Sequence, residues 1–97
     1  MSETIEGLTI AYSENGIETT KELDKCILSK GAWVTILFRY QDFDHKKQML
    51  GPVKYSIRRY QKRDNQYRLK SKFNISSEKQ AQQIISTLNE WLSVSSQ

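Results

Sequence analysis

The chain's densest concentration of chemically active side chains is cationic. Between positions 53 and 72 stand Lys54, Arg58, Arg59, Lys62, Arg63, Arg68, Lys70 and Lys72, against one acid, Asp64. Six of the eight (Lys54, Arg58, Lys62, Arg68, Lys70 and Lys72) occupy even positions. In an extended chain alternate side chains share a face, so the six are expected on one surface, with Arg59 and Arg63 on the other. Like charges opposite one another on a sheet destabilise it. A surface that gathers them calls for a polyanion or for strong screening. Phosphate backbones fit, because each neutralised phosphate releases counterions and adds affinity. Aromatic rings are interleaved: Tyr60 falls on the basic face by phase, and Tyr40 and Phe43 end the preceding apolar run. Bases of single strands stack on such rings for about 1–3 kcal/mol each, whereas duplex bases are already stacked. The combination points to single strands. The plainer alternative is a solvated surface with Tyr40 and Phe43 in the core.

Other chemistries find little support. One cysteine, Cys26, excludes an intrachain disulfide and reads as a small buried hydrophobe. With the single histidine, His45, it cannot complete a structural zinc site. Asp42 and Asp44 flank Phe43 without a histidine or further carboxylate of obvious role, and there is no Gly-rich phosphate loop or nucleophile elbow. No enzymatic activity, cofactor or metal is expected. No apolar run approaches the ~20 residues of a membrane span. The start, MSETIEG, lacks the basic and apolar regions of a signal peptide. A cytoplasmic protein is expected.

Elements must position this basic face. Residues 33–43 alternate, with Val34, Ile36, Phe38 and Tyr40 toward the core. Residues 44–52 end in Gly51-Pro52 and read as a long protruding loop. Residues 53–62 place Val53, Tyr55 and Ile57 inward and Lys54, Arg58, Tyr60 and Lys62 outward. After a turn at Asp64-Asn65, Tyr67, Leu69, Ser71, Phe73 and Ile75 share one side, and Arg68, Lys70, Lys72 and Asn74 the other. Ser77 with Gln80 forms a capping box. Ala81, Ile84, Ile85, Leu88, Trp91 and Leu92 then follow helical spacing. That helix needs a sheet or a second subunit to cover its apolar face. Residues 19–31 are ambiguous: Thr19 and Glu22 suggest a helix cap, and Cys26-Ile27-Leu28 a strand. Residues 1–25 hold six acids against two lysines, a balance of −4, and residues 26–97 hold thirteen Lys or Arg against five acids, a balance of +8. Residues 1–20, with a possible strand at 8–12 and a turn at 13–16, are expected to be an acidic, weakly ordered arm preceding a domain over 21–97.

The run Tyr55-Ser56-Ile57-Arg58-Arg59-Tyr60, then Lys72-Phe73-Asn74-Ile75-Ser76 and an amphipathic helix, resembles the PC4-like transcriptional coactivator family. That family has an I-R-E-Y strand, a charged turn, a K-G-I-S-L strand and a closing helix. Arg39-Tyr40-Gln41-Asp42-Phe43 resembles its R-D-F strand end. The resemblance spans roughly residues 26–92. The chain departs from the pattern at Gln61, where the family has tryptophan, at Phe73, where it has glycine, and in the longer connection 44–52. The resemblance implies an α+β protomer, a four-stranded antiparallel twisted sheet followed by a helix (ββββα). It favours a strand over a helix at 23–30. It further implies a homodimer formed through the helix that binds single-stranded DNA, with RNA as the alternative strand, in transcription, replication or repair. Arg58 would match the strand arginine that meets DNA, Phe43 the stacking ring, Lys72 the lysine opening the last strand, and Arg39 the arginine of the strand end. A protein-interaction module docking an acidic partner on the same face is the competing expectation.

Overall fold

The computed structural model describes residues 3–95. Five antiparallel strands form one curled sheet in the order of the chain: β1 (Tyr12–Glu14), β2 (Ile17–Ser29), β3 (Trp33–Asp44), β4 (Met49–Arg63) and β5 (Gln66–Ile75). One helix, α1 (Glu78–Ser95), follows. The α+β class and the closing helix agree with the sequence. The sheet has five strands rather than four, because residues 12–14 add a short strand at one edge.

Turn chemistry explains the meander. Asn15 and Gly16 both have positive φ (53° and 79°), as do Asp64 and Asn65 (53° and 62°). Two-residue loops with this backbone match the right-handed twist of the strands they join. The expected long loop at 44–52 is instead a four-residue turn, 45–48, with Gln48 at φ 54°. Gly51 and Pro52 lie inside β4, at a shift of register between the pairs Gln41–Val53 and Phe43–Leu50. The extra β4 residue there absorbs the proline's missing donor.

Residues 19–29 are strand, and residues 30 and 31 lie in the connection to β3. Thr19 and Glu22 do not cap a helix. Thr19 Oγ1 donates to the Tyr12 carbonyl (3.2 Å), and Glu22 Oε1 accepts from Thr9 Oγ1 (2.6 Å) and the Ile10 N–H (3.2 Å). These bonds hold the N-terminal segment down. Lys25 Nζ adds two more, donating to the carbonyls of Glu6 (2.9 Å) and Leu8 (2.7 Å). Leu8 and Ile10 are buried against Val34, Ile36, Phe38, Tyr40, Tyr60 and Tyr67. The segment thus enters the core, and β2 runs without a break across position 20.

The two faces of the sheet are covered by different things. Residues 5–10 cover the arm face. The helix covers the other, the helix face. α1 starts as its sequence dictates: Ser77 Oγ accepts from the Gln80 N–H (3.1 Å), and Gln80 Oε1 reaches back to the Ser76 N–H (3.2 Å). It approaches only β4 and β5. Between it and the sheet runs an apolar groove of about 550 Å³, walled by Leu28, Leu37, Tyr55, Ile57 and Ile75 below and by Ala81, Ile84, Ile85 and Leu88 above. Leu28, Phe73, Ile85, Leu88 and Leu92 stay exposed. Cys26, expected to be buried, is exposed: it lies on β2, whereas α1 approaches only β4 and β5. The Cα radius of gyration is 15.7 Å, against about 13 Å for a compact domain of this length. A single sheet with one loosely seated helix cannot close around itself.

Candidate nucleic-acid interface

Register decides which basic residues share a surface. β3 and β4 pair even with even: Val34–Tyr60, Ile36–Arg58, Phe38–Ser56 and Tyr40–Lys54. Directly paired residues of an antiparallel ladder lie on the same face. The apolar even residues of β3 and the basic even residues of β4 therefore belong to one face, the arm face. The sequence reading had set them on opposite sides of the sheet. Val53, Tyr55 and Ile57 do turn inward, but toward the helix.

A second shift of register divides the basic cluster. Arg58 pairs with Lys72 and Ser56 with Asn74, yet beyond Arg59–Ser71 the next pair is Tyr60–Leu69. Lys70 is the extra residue of a β-bulge. One inserted residue inverts the alternation that follows it. Tyr67 and Leu69 therefore join the face of Lys72. Arg68, paired with Gln61, turns to the helix face beside Arg59. The six even cations do not form one surface. Lys54, Arg58, Lys62 and Lys72 lie on the arm face, Arg68 lies on the helix face, and Lys70 stands at the bulge of the open edge strand β5.

The arm-face strip is organised around Arg58. Ser56, fully buried, donates from Oγ to Asn74 Oδ1 (2.7 Å), and Arg58 Nε donates to Ser56 Oγ (3.4 Å). The guanidinium is thus held at its base, directly opposite Lys72. Among the described residues neither cation has a carboxylate within ion-pairing distance. Lys54 does, with its Nζ 3.3 Å from Asp42 Oδ2. Lys62 lies over the Tyr67 ring, 5.6 Å from its centroid. A cleft of about 310 Å³ opens between Arg58, Tyr60, Tyr67 and Leu69 on the sheet and Gly7, Leu8 and Thr9 of the arm.

The expected stacking rings are placed less simply. Tyr60 shares the face of Arg58, as its phase predicts, but Leu8 and its neighbours bury it to 5% exposure. Burial raises the pKa of its hydroxyl, partly opposed by the charge and hydrogen bond of Arg58. Tyr40 is also buried, and its pKa is raised first by desolvation and then by Asp42, against Lys54 and Arg58. Phe43 is half-buried, edge-on to His45 with centroids 5.1 Å apart. It alternates with Asp42, whose carboxylate meets Lys54 on the arm face, so Phe43 lies on the helix-face side with Arg39. Arg39 is 3.9 Å from Asp24 there. Neither Phe43 nor Arg39 is brought together with Arg58 and Lys72.

Sequence reasoning passed over Ser56 and Asn74, which seat the central arginine, and Trp33, whose ring carries Arg59 at 4.6 Å. The Ser56–Asn74 pair has no signal beyond strand phase. Trp33, a large aromatic opening a strand beside a glycine turn, is the one that composition could have flagged. Among the described residues no group of three or more His, Cys, Asp or Glu side chains converges, and no helix is long and apolar enough to cross a membrane. Comparison with known proteins returns no matching family model, no matching curated protein and no matching solved structure.

Proposed function

We propose that this chain is a non-enzymatic single-strand-binding protein. It takes single-stranded DNA along the β4–β5 side of the arm face and acts as a homodimer in transcription, replication or repair. One observation carries the reading: Arg58 and Lys72 are set directly opposite each other with no carboxylate within ion-pairing distance among the described residues. Such a pair costs stability in the free protein and is relieved by a phosphate between the two. Arg58's fixed base, on Ser56 and Asn74, presents a planar fork suited to a phosphate oxygen pair. The resemblance of residues 26–92 to the coactivator family supports the same reading. The exposed apolar residues of α1 and the groove beneath it support a second copy as the missing cover, since obligate interfaces resemble a core cut in half.

Fluorescence anisotropy with a labelled oligo-dT strand tests the proposal. Binding at low salt that weakens steeply as salt rises supports it. Absence of binding at low salt refutes it. Docking of an acidic protein partner on the same strip is the second reading, favoured by the burial of Tyr60 and Tyr67, the rings beside Arg58 and Lys62. An acidic peptide that binds where oligo-dT does not would establish it.

A further inference from the structure

The bulge at Lys70 carries the basic surface around an edge. Lys72 lies on the arm face, Lys70 at the bulge of the outermost strand, and Arg68 on the helix face. From Arg68 a row of directly paired residues runs inward across the sheet: Arg68, Gln61, Trp33. Strands lie about 4.8 Å apart, so the row is roughly 10 Å long between backbones. Trp33 at its inner end is 40% exposed, and the Arg59 guanidinium lies over its ring, 4.6 Å from the centroid. Trp33 does not wall the apolar groove beneath α1. The contact that covers the helix therefore does not account for it. Among the described residues, Arg59 and Arg68 have no carboxylate in ion-pairing range.

We propose that Trp33 is a stacking platform for one base of the bound single strand, with Arg59 and Arg68 as the flanking phosphate contacts. This rests on the single-strand reading above and adds a second face to it: the strand crosses the β5 edge from Lys72 past Lys70 to Arg68, and an unstacked base lands on the indole. A cation over an indole is an attraction between charge and ring quadrupole. An arriving nucleotide replaces it on both sides, base on ring and phosphate on guanidinium, so that neither partner is left bare. Tyr40, Tyr60 and Tyr67 beside the basic strip are buried; Trp33 and Phe73 are exposed on the helix face, and of these two it is the indole that carries a guanidinium over its ring. A duplex has no unstacked base to offer, so the platform also selects for single strands.

A Trp91→Phe variant leaves Trp33 as the sole tryptophan. Its emission is recorded during an oligo-dT titration followed in parallel by anisotropy. Quenching that saturates together with the anisotropy change is expected. Trp33→Leu is expected to weaken oligo-dT binding by about 10-fold or more, and Trp33→Phe to recover most of it. Arg68→Gln should flatten the dependence of log affinity on log salt by about 0.7. Circular dichroism and a thermal melt of each variant separate lost contact from lost fold. Binding with unchanged Trp33 emission, and Trp33→Leu affinity within about two-fold of the parent, overturns the platform while leaving the single-strand reading intact. No oligo-dT binding by the parent protein overturns both.

Discussion

Removing Lys72 should weaken single-strand binding while leaving the protein as stable or more so. On the β4–β5 part of the arm face and the β5 edge, four cations have no carboxylate partner among the described residues: Arg58, Lys62, Lys70 and Lys72. Lys54 is excluded because Asp42 already holds it at 3.3 Å. For single strands the slope of log affinity against log salt is about −0.7 per neutralised phosphate, so the four contacts on this side, leaving aside Arg59 and Arg68 on the helix face, give about −2.8. Between about 50 and 200 mM salt the affinity then falls about 50-fold. Lys72→Ala leaves three contacts and a slope of about −2.1, a fall of about 20-fold over the same range. Folding moves the other way. Lys72 faces Arg58 directly in the ladder, and relieving a like-charge pair is worth roughly 0.2–1 kcal/mol. The Lys72→Ala melting temperature should therefore hold or rise. Asp42→Asn supplies the converse: it frees Lys54 and should steepen the slope by about 0.7. Anisotropy across a salt series gives the slopes, and a thermal melt gives the stability. A slope unchanged in Lys72→Ala, or a parent slope near zero, would refute the reasoning.

Three other outcomes follow from the packing. Phe38→Ala, at a fully buried position in the middle of β3, should cost about 3–5 kcal/mol, read from the denaturant midpoint. Leu88→Lys on the exposed apolar face of α1 should convert the proposed dimer to monomer in sedimentation velocity while the far-ultraviolet dichroism of the protomer is retained. Tyr40 and Tyr60 have folded pKa values raised by burial. Their neutral forms are favoured in the fold, so this contribution is complete below about pH 10 and is lost as pH rises through the higher folded values. Absorbance near 295 nm should show two tyrosines ionising last, with the denaturant midpoint falling over the same pH range.

The local signals in the sequence were sufficient for β3, for two tight turns and for the start of α1. Alternation from Val34 to Tyr40, the Asn15-Gly16 and Asp64-Asn65 turns, and the Ser77–Gln80 cap each depend on residues within a few positions of one another. Backbone preference and side-chain reach act over that range. The crowding of cations between 53 and 72 is likewise a property of composition. The faces on which those cations lie were decided only by the tertiary structure. Side-chain phase inverts with one extra residue, and the bulge at Lys70 carries no glycine or proline to mark it. Three further outcomes are also tertiary. Residues 19–29 became strand because β3 offers them a ladder, and their own sequence suits helix and strand alike. Tyr60 is buried because Leu8 and Ile10, some fifty residues earlier, lie on its face. Cys26 is exposed because the helix covers only β4 and β5. The sequence by itself determined that a basic β-hairpin exists. Pairing between distant strands, which no short window contains, divided it into an arm-face strip, an edge and a helix-face row.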